Sequence, residues 1–90
     1  MKKVVPRREN LGPEADFFHA LSDPIRLQIL HALLVLDLCP CVLKELTDLS
    51  DSKLSYHLNI LEKAGLIASS PRKKWRIYML TENGRSLIGK

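Results

Sequence analysis

The apolar residues of this chain change their spacing at Gly65, and this change constrains the fold more than any other feature of the sequence. Before Gly65 they recur every three or four residues, which is the period of amphipathic helices. After Gly65 they alternate, which is the period of β-strands. A chain of 90 residues has room for one small domain. The pattern therefore predicts a mainly α domain that carries a small β-hairpin in its second half.

Four helices are predicted before Gly65. Three of them begin near a proline, at Pro13, Pro24 and Pro40, and the first turn of a helix is where the missing proline N–H costs no hydrogen bond. The fourth runs from about residue 52 to residue 64. Gly65 is the residue type favoured just beyond a helix C-terminus, so we expect this helix to end there.

A hairpin and a last helix are predicted after Gly65. Residues 66–69 and 75–80 are the expected strands, and residues 70–74 are the expected loop between them. In the second strand, the alternation of Trp75 and Ile77 with Met79 predicts that these three side chains pack in the core. The order helix–helix–helix–helix–hairpin–helix is that of a winged helix-turn-helix domain.

The charged residues divide the chain into three blocks. Residues 1–12 are interpreted as a basic N-terminal arm that precedes the winged-helix domain of residues 13–90. Residues 13–51 hold seven acidic and two basic side chains, whereas residues 52–90 hold eight basic and two acidic ones. Such a polarised chain favours a polyanionic partner that is bound by one face.

Composition argues against several classes of protein. The longest apolar run, Ala32–Leu36, is too short to span a bilayer, and the basic N-terminus has no apolar core of a secretory signal behind it. Two cysteines are too few to form the disulfide framework of a small secreted protein. We therefore expect a reducing, cytoplasmic location without membrane contact. The three histidines show no triad-like placement, so we expect no enzyme.

The outer face of the fourth predicted helix carries groups that suit DNA. With Leu54, Leu58 and Leu61 turned inward, the opposite face presents hydroxyl, phenol, amide and ammonium groups. These groups fit base edges and phosphates in a major groove, whereas an ordinary solvated face would mix acids and bases more evenly. The candidate DNA contacts on this helix are Ser52, Lys53, Ser55, Tyr56 and Asn59.

The predicted hairpin adds a second cationic group. Arg72, Lys73, Lys74 and Arg76 are close together in sequence and have no acidic neighbour. This charge density on a projecting loop fits contact with phosphates or a minor groove. His57, at the edge of the inner face of the fourth helix, is expected to be packed or to touch phosphate rather than to bind a metal.

Two segments resemble the arsenic-repressor (ArsR/SmtB) family of winged-helix transcription regulators. Residues 20–30 read ALSDPIRLQIL, like the opening motif of that family, and residues 52–67 read SKLSYHLNILEKAGLI, like its recognition helix. The resemblance covers about residues 15–85. It implies a homodimer, paired through its first and last helices, that binds double-stranded operator DNA, usually as a repressor released by an inducer.

The segment DLCPCVL, residues 37–43, is similar to the metalloid-binding stretch of the arsenic and cadmium sensors in that family. Cys39 and Cys41 match two of its cysteines, whereas the third cysteine of the arsenic pattern would fall at Lys44. The match implies a soft metal or metalloid ion, which thiolates suit, although two thiolates are an incomplete tetrahedral shell. Three hypotheses stay open for this pair: ion ligands, a thiol redox switch, and two structural side chains without a ligand.

The sequence therefore favours a sequence-specific DNA-binding transcriptional regulator, a homodimeric repressor whose operator binding responds to a metal, metalloid or redox signal at Cys39 and Cys41. The alternatives are a winged-helix module that binds another protein, and a regulator without a ligand whose cysteines are structural. DNA affinity at low salt separates the first alternative from the regulator.

Overall fold

The computed structural model describes residues 5–89, which form five α-helices and one hairpin. The elements are α1 (Gly12–Leu21), α2 (Pro24–Val35), α3 (Pro40–Thr47), α4 (Asp51–Lys63), β1 (Ile67–Arg72), β2 (Trp75–Leu80) and α5 (Glu82–Ile88). This order confirms the predicted fold class. The first four residues of the predicted arm and Lys90 lie outside the described residues. The end of the arm, Arg8–Leu11, forms a 3-10 turn that leads into α1.

Local hydrogen bonds account for the ends of α2 and α4. The Asp23 carboxylate accepts a hydrogen bond from the Ile25 N–H at 2.7 Å and caps α2. The Ser50 hydroxyl accepts from the Lys53 N–H at 3.3 Å and caps α4. Beyond α4, Gly65 takes φ +77°, a left-handed conformation that glycine adopts without steric cost. The predicted end of the fourth helix at Gly65 is therefore confirmed.

Helix α2 lies at the centre of the fold and contacts α1, α3, α4, α5 and β2. Helix α2 can contact this many elements because apolar residues cover more than one of its faces. Full burial of one such side chain stabilises the fold by about 1.5–3 kcal/mol. The largest fully buried side chains are Ile29, Leu30, Leu33, Leu43, Leu61 and Leu66. The core therefore fixes α3 and α4 against α2.

The hairpin is longer and its turn tighter than predicted. β1 continues to Arg72, so a turn of two residues, Lys73 and Lys74, replaces the predicted five-residue loop. Pro71 had indicated a loop, but each strand of a two-stranded sheet is an edge strand, where a proline without an N–H is tolerated. Lys73 takes φ 42° to close the turn.

The prediction that Trp75, Ile77 and Met79 pack in the core is wrong. Leu80 is buried opposite Ile67, so the alternation of the strand places Trp75, Ile77 and Met79 on the other face of the hairpin. Burial also decreases along both strands toward the turn. Trp75, next to the turn, is 60% exposed.

A short bridge ties the segment between α2 and α3 to the hairpin. The Leu38 N–H donates to the Tyr78 carbonyl at 3.0 Å, and the Tyr78 N–H donates to the Leu38 carbonyl at 2.8 Å. The chain around the two cysteines is thereby attached to β2. Between residues 5 and 89, no helix is long and apolar enough to cross a membrane.

Candidate nucleic-acid interface

Helix α4 exposes one polar face and buries one apolar face. Leu54, Leu58 and Leu61 are buried, as predicted, together with His57. The exposed side of the helix carries all five predicted contacts: Ser52, Lys53, Ser55, Tyr56 and Asn59. The side chain of Tyr56 is 58% exposed although it is large and aromatic. The hydrogen-bonding groups of this face are therefore free to meet a ligand.

The two carboxylates of α4 are engaged by neighbouring elements. Asp51, at the start of the helix, pairs with the Lys44 ammonium of α3 at 3.0 Å. This pair is exposed and adds at most about 1 kcal/mol. Glu62, near the end of the helix, accepts a hydrogen bond from the Ser69 hydroxyl of β1 at 3.1 Å. Both negative charges on α4 thus have local partners.

The four predicted cations of the hairpin, Arg72, Lys73, Lys74 and Arg76, are all exposed. Arg76 also donates a hydrogen bond to the Ser69 hydroxyl at 3.0 Å. Because Ser69 in turn donates to Glu62, this chain of contacts joins the hairpin to α4. This link is not predictable from the sequence, since Ser69 lies in an ordinary strand pattern.

A buried guanidinium anchors the inner side of α4. Arg26 is only 3% exposed and donates to the carbonyl oxygens of Ala20 and His19, each at 3.0 Å. Its third contact is to Nδ1 of His57, also at 3.0 Å. Arginine only donates, so Nδ1 is the acceptor and the imidazole is neutral, with its proton on Nε2. The contacts join α1, α2 and α4 at one point.

The surroundings of His57 favour its neutral form. Burial lowers the pKa of His57 below its usual 6.5, and the positive charges of Arg26 and Lys53 lower this pKa further, while Asp23 opposes them. The ring of Tyr56 meets the imidazole edge to face, with 5.1 Å between centroids. His57 is therefore a packed residue, one of the two roles expected for it.

Arg26 is not among the residues predicted to be functional, although the sequence holds a signal for its burial. Ile29, Leu30 and Leu33 follow Arg26 at intervals of three, four and seven residues, which is one face of a helix. All three are buried. Because Arg26 is the first residue of this buried face, it is expected to lie in the core, where its charged group needs hydrogen-bond partners within the protein.

The two cysteines stand at the start of α3. Cys39 is the N-cap residue and is half-buried, and Cys41 lies in the first turn and is exposed. In the part of the chain from residue 5 to residue 89, no group of three or more His, Cys, Asp or Glu side chains is arranged to hold a metal ion. Two thiols do not complete a tetrahedral shell. These residues of a single chain therefore do not fit a closed metal site.

Several large apolar side chains are exposed outside the DNA candidates. Phe18 of α1 is 59% exposed and Leu87 of α5 is 42% exposed. An apolar surface also follows the end of α2 and one side of α3. It lines a shallow groove with Val35, Leu36, Val42 and Leu46, all of them exposed. Large exposed apolar side chains in groups indicate surfaces that associate with another molecule.

Comparison with known proteins assigns this arrangement to a family. The model of the arsR family of bacterial regulatory proteins matches residues 23–69. The chain belongs to the arsR family. It is 41% identical over 66 residues to the arsenical resistance operon repressor of Bacillus subtilis (strain 168), an alignment that covers 72% of this chain and 63% of that protein. The resemblance recognised in the sequence is confirmed.

Two further comparisons extend beyond the residues of the family model. An uncharacterised HTH-type transcriptional regulator of Methanocaldococcus jannaschii is 37% identical over 77 residues, covering 83% of this chain and 85% of the relative. The crystal structure of NolR from Sinorhizobium fredii superposes with a TM-score of 0.82 at 26% identity, covering 99% of this chain and 91% of NolR. The winged helix-turn-helix fold is therefore shown for nearly the whole chain.

The arsR-family match spans the helical centre of the fold. It covers α2, α3, α4 and the start of β1, and stops before the hairpin tip. Because this family consists of winged helix-turn-helix regulators, the prediction that the chain is not an enzyme is confirmed. The chain spans 63% of the length of the Bacillus subtilis relative.

Proposed function

We propose that this arsR-family chain is a sequence-specific DNA-binding transcriptional repressor that reads an operator with α4. The observation that carries the proposal is the exposed polar face of α4, on which both nearby carboxylates are occupied by Lys44 and Ser69. Hydroxyl and amide groups such as those of Ser55 and Asn59 pair with base edges in a major groove. The name of the Bacillus subtilis relative supports repression as the outcome of binding.

The cationic hairpin supplies the part of the affinity that does not depend on sequence. Arg72, Lys73, Lys74 and Arg76 would contact phosphates beside the groove that α4 enters. Contacts of this kind position a protein on DNA but carry no sequence information. They release counterions, so their contribution falls as salt rises.

We propose that the repressor is a homodimer that pairs through α1 and α5. Phe18 and Leu87 are large apolar side chains exposed on these two helices. A domain of 90 residues buries a modest fraction of its surface, so pairing of such helices would extend its core. Two copies of α4 would then read two half-sites on one face of a duplex.

Asn59 offers the sharpest test of whether α4 reads the DNA sequence. Asn59→Ala removes a side-chain amide from the exposed face of α4, and Asn10→Ala removes one from an exposed position of the 3-10 turn before α1. On a duplex selected for tight binding, Asn59→Ala should lose about 5- to 100-fold in affinity, and Asn10→Ala should lose none. Equal affinities of Asn59→Ala and wild type would contradict the assignment of α4. Failure of the wild type to bind any duplex at low salt would favour the protein-interaction module instead.

The effector is a separate hypothesis, centred on Cys39 and Cys41. One experiment separates the three hypotheses for this pair, which are ligands of a soft metal or metalloid ion, a thiol redox switch, and a structural pair. DNA release is measured with arsenite, cadmium, zinc and diamide, for the wild type and for Cys39→Ser/Cys41→Ser. Release of the wild type alone by an ion supports ligation, and release by diamide alone supports a redox switch. If the two proteins behave alike under every condition, both sensing hypotheses fail.

A further inference from the structure

The tip of the hairpin presents a tryptophan among cations. Trp75 pairs across the hairpin with Arg72, and the two lysines of the turn lie between them. Trp75 is 60% exposed and is the one tryptophan of the chain. With Pro71 it forms the apolar part of a shallow depression whose other walls are Arg72, Lys73 and Lys74. The largest apolar side chain thus lies at the exposed tip of the hairpin and not in the core.

The neighbours of Trp75 indicate what covers it. Within residues 5–89 the ring has no aromatic partner, and it lies on the face of the hairpin opposite the core residues Ile67 and Leu80. An apolar protein surface would have to desolvate the adjacent cations, which is costly. A polyanion that also offers a narrow apolar cleft can cover the indole ring of Trp75 and pair with the adjacent cations at the same time.

We propose that Trp75 is a specificity-determining residue that enters the minor groove of DNA and favours base pairs without a guanine 2-amino group. The proposal rests on the DNA-binding function proposed above and specifies how the hairpin takes part in it. A minor groove is about 6 Å wide and admits a flat ring flanked by phosphate-binding cations. Trp75 would be a contact residue in addition to the four cations.

The chemistry of the indole sets the direction of the preference. Its Nε1–H donates a hydrogen bond and accepts none. In the minor groove A·T pairs present only acceptors, whereas G·C pairs add the guanine 2-amino donor. An indole N–H that faces this amino group meets a second donor, so its hydrogen bond is lost. We expect affinity for A·T duplexes to exceed that for G·C duplexes by about three- to tenfold, as for one hydrogen bond.

Inosine allows this contact to be tested without an identified operator. Inosine lacks the 2-amino group, so an I·C pair resembles A·T in the minor groove and G·C in the major groove. Three fluorescein-labelled 24-mer duplexes of alternating A·T, I·C or G·C pairs are titrated with the protein at low salt. Anisotropy of the label measures binding, and the emission of Trp75 reports on this residue alone, because the chain has one tryptophan.

The expected result is binding to all three duplexes, with tighter binding and a larger change in Trp75 emission on A·T and I·C than on G·C. Trp75→Phe, which keeps a flat apolar ring without the N–H, should bind I·C and G·C, which are alike in the major groove, with equal affinity. Binding of all three with unchanged Trp75 emission would overturn the role of Trp75 alone. An I·C affinity equal to that of G·C would overturn minor-groove reading. No binding to any duplex would overturn the proposed function, and this proposal with it.

Discussion

At the scale of single residues, the most constrained group is the guanidinium of Arg26. It is buried, no carboxylate among residues 5–89 pairs with it, and its charge is met by the carbonyl oxygens of His19 and Ala20 near the end of α1. The C-terminus of a helix carries partial negative charge, which favours a cation there. The His57 imidazole takes the remaining contact only while it is neutral. The position of α4 is therefore linked to one protonation state.

The first prediction concerns pH. The pKa of His57 is lowered in the fold, so the unfolded chain, with an ordinary histidine pKa of about 6.5, takes up its proton at higher pH than the folded chain. The stabilisation of the fold by neutral His57 is therefore complete above about pH 6.5. It is lost as pH falls through the lower pKa that His57 has in the folded chain. Urea unfolding between pH 8 and pH 5 should show the loss.

His57→Asn is the control for this prediction. The Asn Oδ1 atom lies near the position of Nδ1 and still accepts from Arg26, but it does not titrate. The variant should lose the part of the pH dependence that belongs to His57 while it remains folded at pH 5. An equal fall of stability in the variant and the wild type would show that other groups are responsible.

The second prediction concerns Gly84, which is buried in α5. A Cβ at this position would overlap the carbonyl oxygen of Leu66 and meet Cδ2 of Leu80 at 3.0 Å. Gly84→Ala should therefore lower the free energy of unfolding by about 1–3 kcal/mol. Gly12→Ala is the matched change in open space at the start of α1. Thermal unfolding that ranks these two variants equally would contradict the packing of α5.

At the scale of elements, the starts and ends of helices could be predicted and the faces of the hairpin could not. Pro24 and Gly65 act within their own turn, so their effect is visible in the sequence. In β2, by contrast, apolar residues occupy both alternating sets, Trp75 with Met79 and Tyr78 with Leu80. Periodicity alone does not say which set faces inward. The helices packed against the strand decide it, and these are distant in sequence.

The third prediction concerns the turn of the hairpin. Lys73 has φ 42°, a region that costs a residue with a Cβ about 1–2 kcal/mol. Lys73→Gly removes this cost, and the extra freedom of glycine in the unfolded chain offsets about 0.5–1 kcal/mol of the gain. The variant should therefore be more stable than wild type by about 0.5–1 kcal/mol. Its DNA affinity should nevertheless fall, with a salt slope smaller by about 1.

Lys74→Gly is the matched variant, because it loses the same charge at a residue without positive φ. It should also weaken DNA binding, but it should lower stability by about 0.5–1 kcal/mol. Thermal unfolding and salt-dependent anisotropy measure the two effects separately. If both variants bind DNA as tightly as wild type, with the same salt slope, the hairpin does not contact phosphates.

At the scale of the whole molecule, the candidate site could be predicted in part. All nine DNA contacts predicted from the sequence are exposed, because one helical face and one charged turn are local patterns. The contact between Arg26 and His57 joins residues 31 positions apart, and the link from Arg76 through Ser69 to Glu62 joins the hairpin to a helix. Such contacts depend on how elements pack, which no local pattern specifies.

The fourth prediction concerns assembly. If α1 and α5 form the dimer interface, Phe18→Asp should convert a particle of about twice 10.2 kDa into one of 10.2 kDa in sedimentation at micromolar concentration. Val35→Asp changes a more exposed apolar residue in the groove between α2 and α3 and should leave the mass unchanged. The reverse ranking would place the interface at the groove. A wild-type mass near 10.2 kDa would contradict the dimer.

The central claim is that the exposed face of α4 reads DNA sequence, and selection from a randomised duplex library tests it most directly. The wild-type protein should enrich one sequence made of two inverted half-sites, about one helical turn apart from centre to centre. Asn59→Ala should enrich a sequence that is less defined within each half-site. A library that stays random after selection by the wild type, or an identical sequence selected by the two proteins, would contradict the account.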